Sequence, residues 1–157
     1  MSISVCPSEI VEAPVVVVWK LLTNPTGWGY FYDVRVVDVD PPGSAKAGQR
    51  VSGQTGSRFF HFGVSFLFTR VDPETHCIEL EVRLPFAMTV KEKVNAVALS
   101  ANQCRVNYHC AFELPRGLKG ILLGLVLHRG IRTGPVDSIR RLKQAAETEA
   151  RITRGDL

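Results

Sequence analysis

The sequence lacks the short motifs that mark the common catalytic sites. It contains no GxSxG, no Walker A loop, no GxGxxG, no HExxH and no paired Cys/His spacing typical of a metal site. Its histidines are scattered along the chain at His61, His76, His109 and His128. We therefore expect neither a metal site nor a bound cofactor.

Long apolar runs and cysteine pairs are missing as well. The longest apolar run, Ile121 to Leu127, is far below the ~18 residues of a membrane-spanning helix. No basic stretch followed by an apolar one marks an export signal near Met1, so we expect a cytoplasmic protein. The four cysteines include no CxxC pair, and we expect reduced thiols.

The composition is that of a globular protein. At 157 residues, with 45% hydrophobic and 22% charged residues, the chain fits a single domain covering residues 1–157. The net charge of +4 is concentrated at the C-terminal end, where residues 114–157 hold nine Lys/Arg against four Asp/Glu. A solvated helix face explains this bias, and so does an anionic partner. Nucleic acid is not expected, because the basic residues are not interleaved with aromatic ones.

The middle of the chain shows the alternation of half-buried strands. One segment places nearly all its phenylalanines on one face, which we expect to point inward. That face consists of Phe60, Phe62, Val64, Phe66 and Phe68. Residues 78–84 continue with the same period, and residues 86–94 alternate likewise with Phe86, Met88, Val90, Glu92 and Val94 on the apolar side. A further strand directs inward Val106, Tyr108, Cys110 and Phe112.

The N-terminal part holds conflicting signals. Residues 4–12 alternate as a first strand, with Pro7 suggesting an edge position or a bulge. The four valines Val15 to Val18 then favour a strand by intrinsic propensity. In contrast, Pro14 and the pair Asn24-Pro25 are typical of helix starts, which would give two short helices in a row. The residues alone leave both alternatives open.

A resemblance to a known family favours the helices. The run EAPVVVVWKLLTNPTGW at 12–28 is followed by VVDV at 36–39, the turn PPG at 41–43 and AGQRV at 47–51. These segments resemble the polyketide cyclase/dehydrase-like group of the START/Bet v 1-like (SRPBCC) superfamily. The resemblance implies an α+β helix-grip fold, in which a curved antiparallel β-sheet wraps around a long C-terminal α-helix and two short helices follow the first strand. It also implies a cavity between helix and sheet.

The last third of the chain predicts that long helix. Its apolar residues Leu118, Ile121, Leu122 and Leu125 recur at helical spacing, and we expect this stripe to lie on the sheet. The stripe becomes polar near His128, Arg129 and Arg132 and resumes at Val136, Ile139, Leu142 and Ala146. Gly130 and Gly134-Pro135 should kink or interrupt the helix. A second apolar line of Leu123, Leu127 and Ile131 predicts a partner, a lipid surface or mobility.

Glu92 is the sharpest candidate for a functional residue. A carboxylate among apolar neighbours either pairs with a helix cation such as Arg129 or Arg132, recognises a ligand at the cavity, or has its pKa raised for acid/base work. Tyr108 lies on the matching face of the next strand, where it either donates a hydrogen bond to a ligand or simply packs. We take Glu92, Tyr108 and His128 as candidate catalytic residues.

The candidate ligand-binding residues follow from the predicted inner faces, the helix and the aromatic cluster after the second short helix. For the apolar and aromatic strand residues the alternative is plain packing in the core. The aromatic cluster is included because the resemblance implies that this region forms part of the cavity rim, and its alternative is a hydrophobic lid that anchors the short helices. The candidate residues are Trp28, Tyr30, Tyr32, Phe60, Phe62, Phe66, Phe68, Phe86, Met88, Glu92, Tyr108, Cys110, Phe112, Leu125, His128 and Arg132.

Three functions compete at this point. The first is binding or carrying of a hydrophobic small molecule, such as a lipid, polyketide or isoprenoid-like compound, by a monomer or homodimer. The second is a cyclase/dehydratase-like enzyme that uses polar pocket residues. The third is a module that docks on a membrane or an acidic partner through the basic C-terminal helix.

Overall fold

A computed structural model describes residues 2–57 and 60–155, without the side chains of residues 57 and 60. Its strands are β1 (Ser2–Val5), β2 (Ser8–Val11), β3 (Arg35–Asp40), β4 (Arg50–Ser57), β5 (Phe60–Asp72), β6 (Cys77–Leu84), β7 (Met88–Ser100) and β8 (Gln103–Glu113). Its helices are α1 (Val15–Leu22), a 3-10 helix (Pro25–Tyr30) and the long α2 (Leu118–Arg154). The strands pair antiparallel in the order β1-β8-β7-β6-β5-β4-β3, with β2 also paired to β8. This is the predicted α+β helix-grip arrangement.

The first predicted strand is divided in two. β1 ends at Val5 and β2 begins at Ser8, and both pair with β8. Pro7 lies between them and has no N–H to donate to the ladder, although its carbonyl accepts a hydrogen bond from the Tyr108 N–H at 2.9 Å. The expected irregularity at Pro7 is therefore a break between two short strands.

The valine run folds as a helix, as the resemblance implied. α1 begins directly after Pro14, and its residues Val18 and Leu22, one turn apart, are buried. The 3-10 helix follows with Pro25 at its first position and Trp28 fully buried. Burial of one helical face thus outweighs the strand propensity of four consecutive β-branched residues.

The predicted strand phases are confirmed wherever the pattern is long. Val64, Phe66 and Phe68 of β5 are buried on the inner face. β8 buries every second residue from Cys104 to Phe112. Phe86 is an exception, because β7 starts only at Met88 and Phe86 lies in the β6–β7 turn with φ 63° and 66% exposure. The prediction that Phe86 shares the inner face of β7 is wrong.

α2 continues without interruption through the positions expected to break it. Gly130, Gly134 and Pro135 all lie inside the helix, and Pro135 is buried. In the C-terminal half of α2, Ile139, Leu142, Ala146 and Ala150 are buried against the core, as the stripe predicted for the first three. None of the helices in the described residues is both long and apolar enough to cross a membrane.

The prediction for the N-terminal half of α2 is wrong in phase. Leu118, Leu122 and Leu125 are 81%, 62% and 73% exposed, so this stripe does not lie on the sheet. The second line packs instead, with Ile131 buried and its companions Leu123 and Leu127 partly buried against the core.

Two buried glycines accompany this second line in the N-terminal half of α2. Gly120 and Gly124 are buried on the inward side of α2. A Cβ at Gly120 would lie 1.8 Å from the carbonyl oxygen of Pro115, so only glycine fits this approach of the preceding loop. Hydropathy favoured the leucines as the buried face, but steric fit selects the small residues.

Candidate ligand-binding site

A cavity of about 430 Å³ lies between the inner face of the sheet and the middle of α2. Its walls are largely apolar and come from β5, β6, β7, β8 and the start of β3, namely Val34, Val64, Phe66, Val82, Leu84, Val90 and Phe112. Its rim carries polar and charged side chains, namely Asp33, Thr55, Asp137, Ser138 and Arg141. An apolar interior with a few polar groups is typical of small-molecule sites of this size.

The cavity exists because α2 presents small residues to the sheet at this level. Gly130, Thr133 and Gly134 line it, whereas Ile139 and Leu142 fill the equivalent space further along the helix. The sequence contained this signal in the glycines and the polar break of the apolar stripe. From sequence alone these glycines predict breaks in the helix, and the α2 candidates are Leu125, His128 and Arg132. The sequence pattern therefore does not identify Gly130, Thr133 and Gly134 as lining residues.

A polar cluster of Glu92, Tyr108 and Tyr32 stands inside the apolar walls. Glu92 comes from β7 and Tyr108 from β8, and the register pairs Glu92 with Cys110 and Val94 with Tyr108, which places both side chains on the inner face. The Tyr32 hydroxyl donates a hydrogen bond to Glu92 Oε2 at 3.2 Å. The ring centroids of Tyr32 and Tyr108 are 6.4 Å apart.

The environment of Glu92 changes its acidity. Burial raises the pKa of the Glu92 carboxyl to about 7, and hydrogen bonds with Tyr108 and Tyr32 only partly oppose this rise. Burial, together with the charge of Glu92, raises the pKa of both tyrosines well above the ordinary value. Near neutral pH, Glu92 is therefore present in both protonation states, while Tyr32 and Tyr108 stay neutral hydrogen-bond donors.

The ion pair expected for Glu92 is not formed. Arg129 and Arg132 are exposed on α2. Within residues 2–57 and 60–155, no Lys, Arg or His lies within ion-pair distance of the Glu92 carboxylate. Glu92 accepts a hydrogen bond from the Tyr32 hydroxyl rather than pairing with a cation.

Aromatic packing holds Tyr32 in place. Trp28 is buried, donates its indole N–H to the Leu22 carbonyl at 3.1 Å, and packs against Tyr32 with 5.2 Å between ring centroids. Phe66 contacts the rings of both Trp28 and Tyr32. Phe68 packs on the far side of Trp28 at 5.2 Å. This layer positions the Tyr32 hydroxyl toward Glu92.

The structure distributes the candidate residues over three environments. Five line the cavity, namely Tyr32, Phe66, Glu92, Tyr108 and Phe112. Four are buried in the core outside its lining, namely Trp28, Phe68, Met88 and Cys110. Six are exposed and do not line it, namely Tyr30, Phe62, Phe86, Leu125, His128 and Arg132. The side chain of Phe60 lies outside the described residues.

Tyr30 and two of the histidines lie on other surfaces of the molecule. Tyr30 is 80% exposed at the end of the 3-10 helix and borders a different surface groove of about 610 Å³ next to α2. His128 is on the exposed side of α2, and His109 lies on the outer face of β8 with its Nδ1 2.9 Å from Cys6 Sγ. Within the described part of the chain, no three His, Cys, Asp or Glu side chains come together as metal ligands would.

Comparisons with known proteins identify the fold but no close relative. No family profile and no curated protein matches the sequence. The Zhui aromatase/cyclase from Streptomyces sp. R1128 is 16% identical, with a TM-score of 0.72 over 97% of this chain and 96% of that one. A protein from Thermus thermophilus is 14% identical, with a TM-score of 0.73 over 94% and 99%. Norcoclaurine synthase from Thalictrum flavum is 11% identical, with a TM-score of 0.63 over 92% and 86%.

The likeness to these structures extends over nearly the whole chain, from the first strands to the end of α2. It agrees with the resemblance seen in the sequence around residues 12–51. The chain therefore has a helix-grip fold like that of these structures.

Proposed function

We propose that this protein binds a hydrophobic small molecule in the cavity between the sheet and α2, with a polar group of the ligand at Glu92. The observation that carries the proposal is a cavity of about 430 Å³ that combines apolar walls with one half-buried carboxyl group and two buried tyrosines. Placing a carboxyl group among apolar side chains costs free energy. A core that served packing alone would therefore not be expected to hold Glu92 at this position.

The polar cluster restricts the chemistry of the ligand. Among the described residues no cation lies within ion-pair distance of Glu92, and Arg141 lies at the rim of the cavity. A ligand carboxylate or phosphate placed beside the ionised form of Glu92 would therefore face a like charge. A neutral hydroxyl, carbonyl or enol group can instead exchange hydrogen bonds with Glu92, Tyr32 and Tyr108. One of the similar structures, norcoclaurine synthase, is in complex with dopamine and hydroxybenzaldehyde. We expect a mainly apolar or aromatic ligand with an uncharged polar end.

Native mass spectrometry of protein purified from its host tests the proposal. We expect an added small-molecule mass that organic extraction removes. Glu92→Gln and Tyr32→Phe should lower its occupancy, because each weakens the hydrogen bonds at the polar end. Glu74→Gln, in the exposed β5–β6 turn, is the matched control and should retain the molecule. Complete absence of bound molecules, together with failure to take up any added hydrophobic probe, would contradict the proposal.

Catalysis is the second candidate function, and the acidity of Glu92 favours it. A carboxyl group with a pKa of about 7 can remove a proton next to a ligand carbonyl and return one to a departing oxygen. A cyclase/dehydratase-like reaction on a poly-β-keto compound would need such steps, with Tyr108 and Tyr32 stabilising the enolate oxygen. In this role the rate on such a substrate depends on a group that ionises near pH 7. Glu92→Gln should abolish this pH dependence. Unchanged turnover in Glu92→Gln would exclude Glu92 from the catalytic mechanism.

A cytoplasmic carrier has to exchange its ligand with the place where hydrophobic molecules accumulate. We propose that this exchange involves peripheral contact with a membrane. The exposed leucines of α2 support this part of the proposal, because they leave an apolar surface next to the cavity.

A further inference from the structure

The N-terminal half of α2 carries an exposed apolar surface, which we call the apolar face of α2. It consists of five large side chains between 54% and 81% exposed, namely Leu118, Ile121, Leu122, Leu125 and Val126. Within an ideal helix, positions 118, 121, 122 and 125 lie on one side. Contiguous apolar surface of this kind on a helix marks a binding surface for another body.

The stretch of sequence that carries the apolar face has charges of a single sign. The 23 residues from 114 to 136 contain four Lys/Arg and no Asp/Glu. Arg129 and Arg132 are exposed and lie on the same side of the helix as Leu122 and Leu125. They follow Leu125 by on the order of 6–10 Å along the helix axis, at 1.5 Å per residue. A basic zone therefore follows directly after an apolar one on the same side of α2.

The turn between β6 and β7 adds exposed aromatic surface at the end of the sheet where the chain enters α2. Phe86 in this turn is 66% exposed and packs edge-on against Phe62 of β5, with 6.4 Å between ring centroids. Thr89, just after the turn, pairs with Glu113 at the end of β8, and the chain enters α2 a few residues later. The exposed apolar side chains of the turn and of α2 thus belong to one end of the molecule.

Charge decides which body can cover this surface. A second copy packed through the same face would bring its four cations against the same four cations, without a carboxylate in the segment to offset them. A bilayer with anionic lipids offers apolar chains to the leucines and negative headgroups to the arginines. We propose that the apolar face of α2, together with Phe86, docks on anionic membranes.

The docking face is placed for exchange with the cavity. The helix turn that follows Val126 contains Gly130, and Thr133 and Gly134 come next, all three lining the cavity. A membrane bound at the apolar face therefore lies within two to three helical turns of the proposed ligand site. Docking does not require a ligand in the cavity, and ligand binding does not require docking. Failure of docking would therefore remove only the membrane contact from the proposed function and leave ligand binding standing.

Flotation with liposomes tests the docking. The full chain should float with vesicles of phosphatidylcholine and phosphatidylglycerol, bind pure phosphatidylcholine at least tenfold more weakly, and dissociate as salt is raised. The double variant Leu122→Gln/Leu125→Gln should reduce binding by about tenfold or more, because both side chains leave water on docking. The double variant Arg129→Gln/Arg132→Gln should reduce it on the order of tenfold, and only on anionic vesicles.

Matched controls separate the face from general surface properties. Val97→Gln/Leu99→Gln removes two side chains of 47% and 45% exposure from β7, outside the apolar face, and should leave binding unchanged. Arg50→Gln/Arg105→Gln removes two exposed cations from β4 and β8 and should change binding less than twofold. If these controls reduce binding as much as the α2 variants do, the attraction is non-specific and the proposal fails.

A fluorescent label reports which surface enters the membrane. In a Cys6→Ser background, where the other cysteines are buried, Leu125→Cys carries an environment-sensitive dye, and Val97→Cys carries the same dye for comparison. We expect a blue shift on anionic vesicles only for the label at 125. Light scattering completes the test: a concentration-dependent dimer abolished by Leu122→Gln/Leu125→Gln, without vesicle binding, would assign the face to a second copy and overturn the proposal.

Discussion

The two halves of α2 use opposite kinds of residues on the side that contacts the sheet. The C-terminal half is rich in charge but buries Ile139, Leu142 and Ala146 against the core. The N-terminal half is rich in leucine but buries Gly120 and Gly124, with its leucines largely in water. Hydropathy alone would therefore predict the wrong half of α2 as the one that buries its large side chains against the sheet.

The two halves of α2 therefore differ in what lies between the helix and the sheet. Where large side chains fill the space under the helix, the sheet and α2 form a closed core. Where Gly130, Thr133 and Gly134 face the sheet, a cavity remains, and just before it the leucines point outward. One helix thus closes the core at one end and leaves a cavity and an exposed apolar surface at the other.

Truncating one leucine in each half of α2 should give the largest difference in stability between the two halves. Leu142→Ala should lower the free energy of unfolding by about 2–5 kcal/mol, because Leu142 is 3% exposed and leaves a cavity. Leu122→Ala, at 62% exposure, should change it by less than about 0.5 kcal/mol. Chemical denaturation measures both. Equal losses would mean that the N-terminal half packs as tightly as the C-terminal half.

The pH dependence of the unfolding free energy tests the environment of Glu92 in the cavity. The folded chain ionises Glu92 near pH 7, above the ordinary value of 4.5, so the folded state holds the extra proton between these values. The stabilising contribution is complete below about pH 4.5 and is lost as the pH rises through 7. Relative to Glu92→Gln, the wild type should lose about 2 kcal/mol between pH 4 and pH 8, a figure that allows for partial exposure to solvent.

Denaturation curves of both proteins at several pH values give this difference directly, since all other groups titrate alike in the pair. A difference that does not vary with pH would mean that the pKa of Glu92 is not raised in the folded state.

Glycine substitutions test whether close approach fixes the phase of the N-terminal half. Gly120→Ala places a Cβ 1.8 Å from the Pro115 carbonyl oxygen and should cost more than about 1 kcal/mol of unfolding free energy. Gly130→Ala meets no atom within 4 Å and should stabilise the helix by up to about 1 kcal/mol. Thermal denaturation of both variants provides the comparison. A harmless Gly120→Ala would remove the steric explanation for the exposed leucines.

The smallest effect is expected at the surface of the C-terminal half. Lys20 of α1 lies 2.6 Å from Glu149 of α2, but its side chain is 71% exposed. Lys20→Ala should therefore cost less than about 0.5 kcal/mol of unfolding free energy, a loss that high salt reduces further. A loss above 1 kcal/mol in the same denaturation assay would show that ion pairing, rather than burial, attaches α1 to α2.

The sequence predicts the sheet much better than the helix. In β5 and β8 the two-residue period separates the faces without ambiguity, which is why Phe66, Tyr108 and Phe112 were placed inward from the pattern alone. Glu92 was found because a carboxylate interrupts the apolar face of β7. In each of these cases one strand carries the whole signal.

The helix side of the site depends on contacts that no local pattern contains. Apolar residues occur all around the first half of α2, so hydropathy does not identify its buried face, on which Gly120 and Gly124 lie. Tyr32 belongs to no periodic element, and its place beside Glu92 follows from its packing on Trp28. Phe86 was assigned to a strand because alternation alone does not show where a turn ends.

Binding of the neutral probe N-phenyl-1-naphthylamine shows whether the cavity accepts a hydrophobic molecule. Val90 lines the cavity, whereas Val97 on the same strand is exposed, so Val90→Phe fills the site and Val97→Phe is its control. Val64→Phe fills the opposite wall and serves if Val90→Phe does not fold. A Leu122→Gln/Leu125→Gln background removes binding at the apolar face of α2.

In that background the protein and the Val97→Phe variant should each bind one probe molecule per chain, and filling the cavity should weaken binding about tenfold or more, a change of roughly 1.4 kcal/mol. Equal fluorescence titrations of the folded cavity-filling variant and its control would contradict the account.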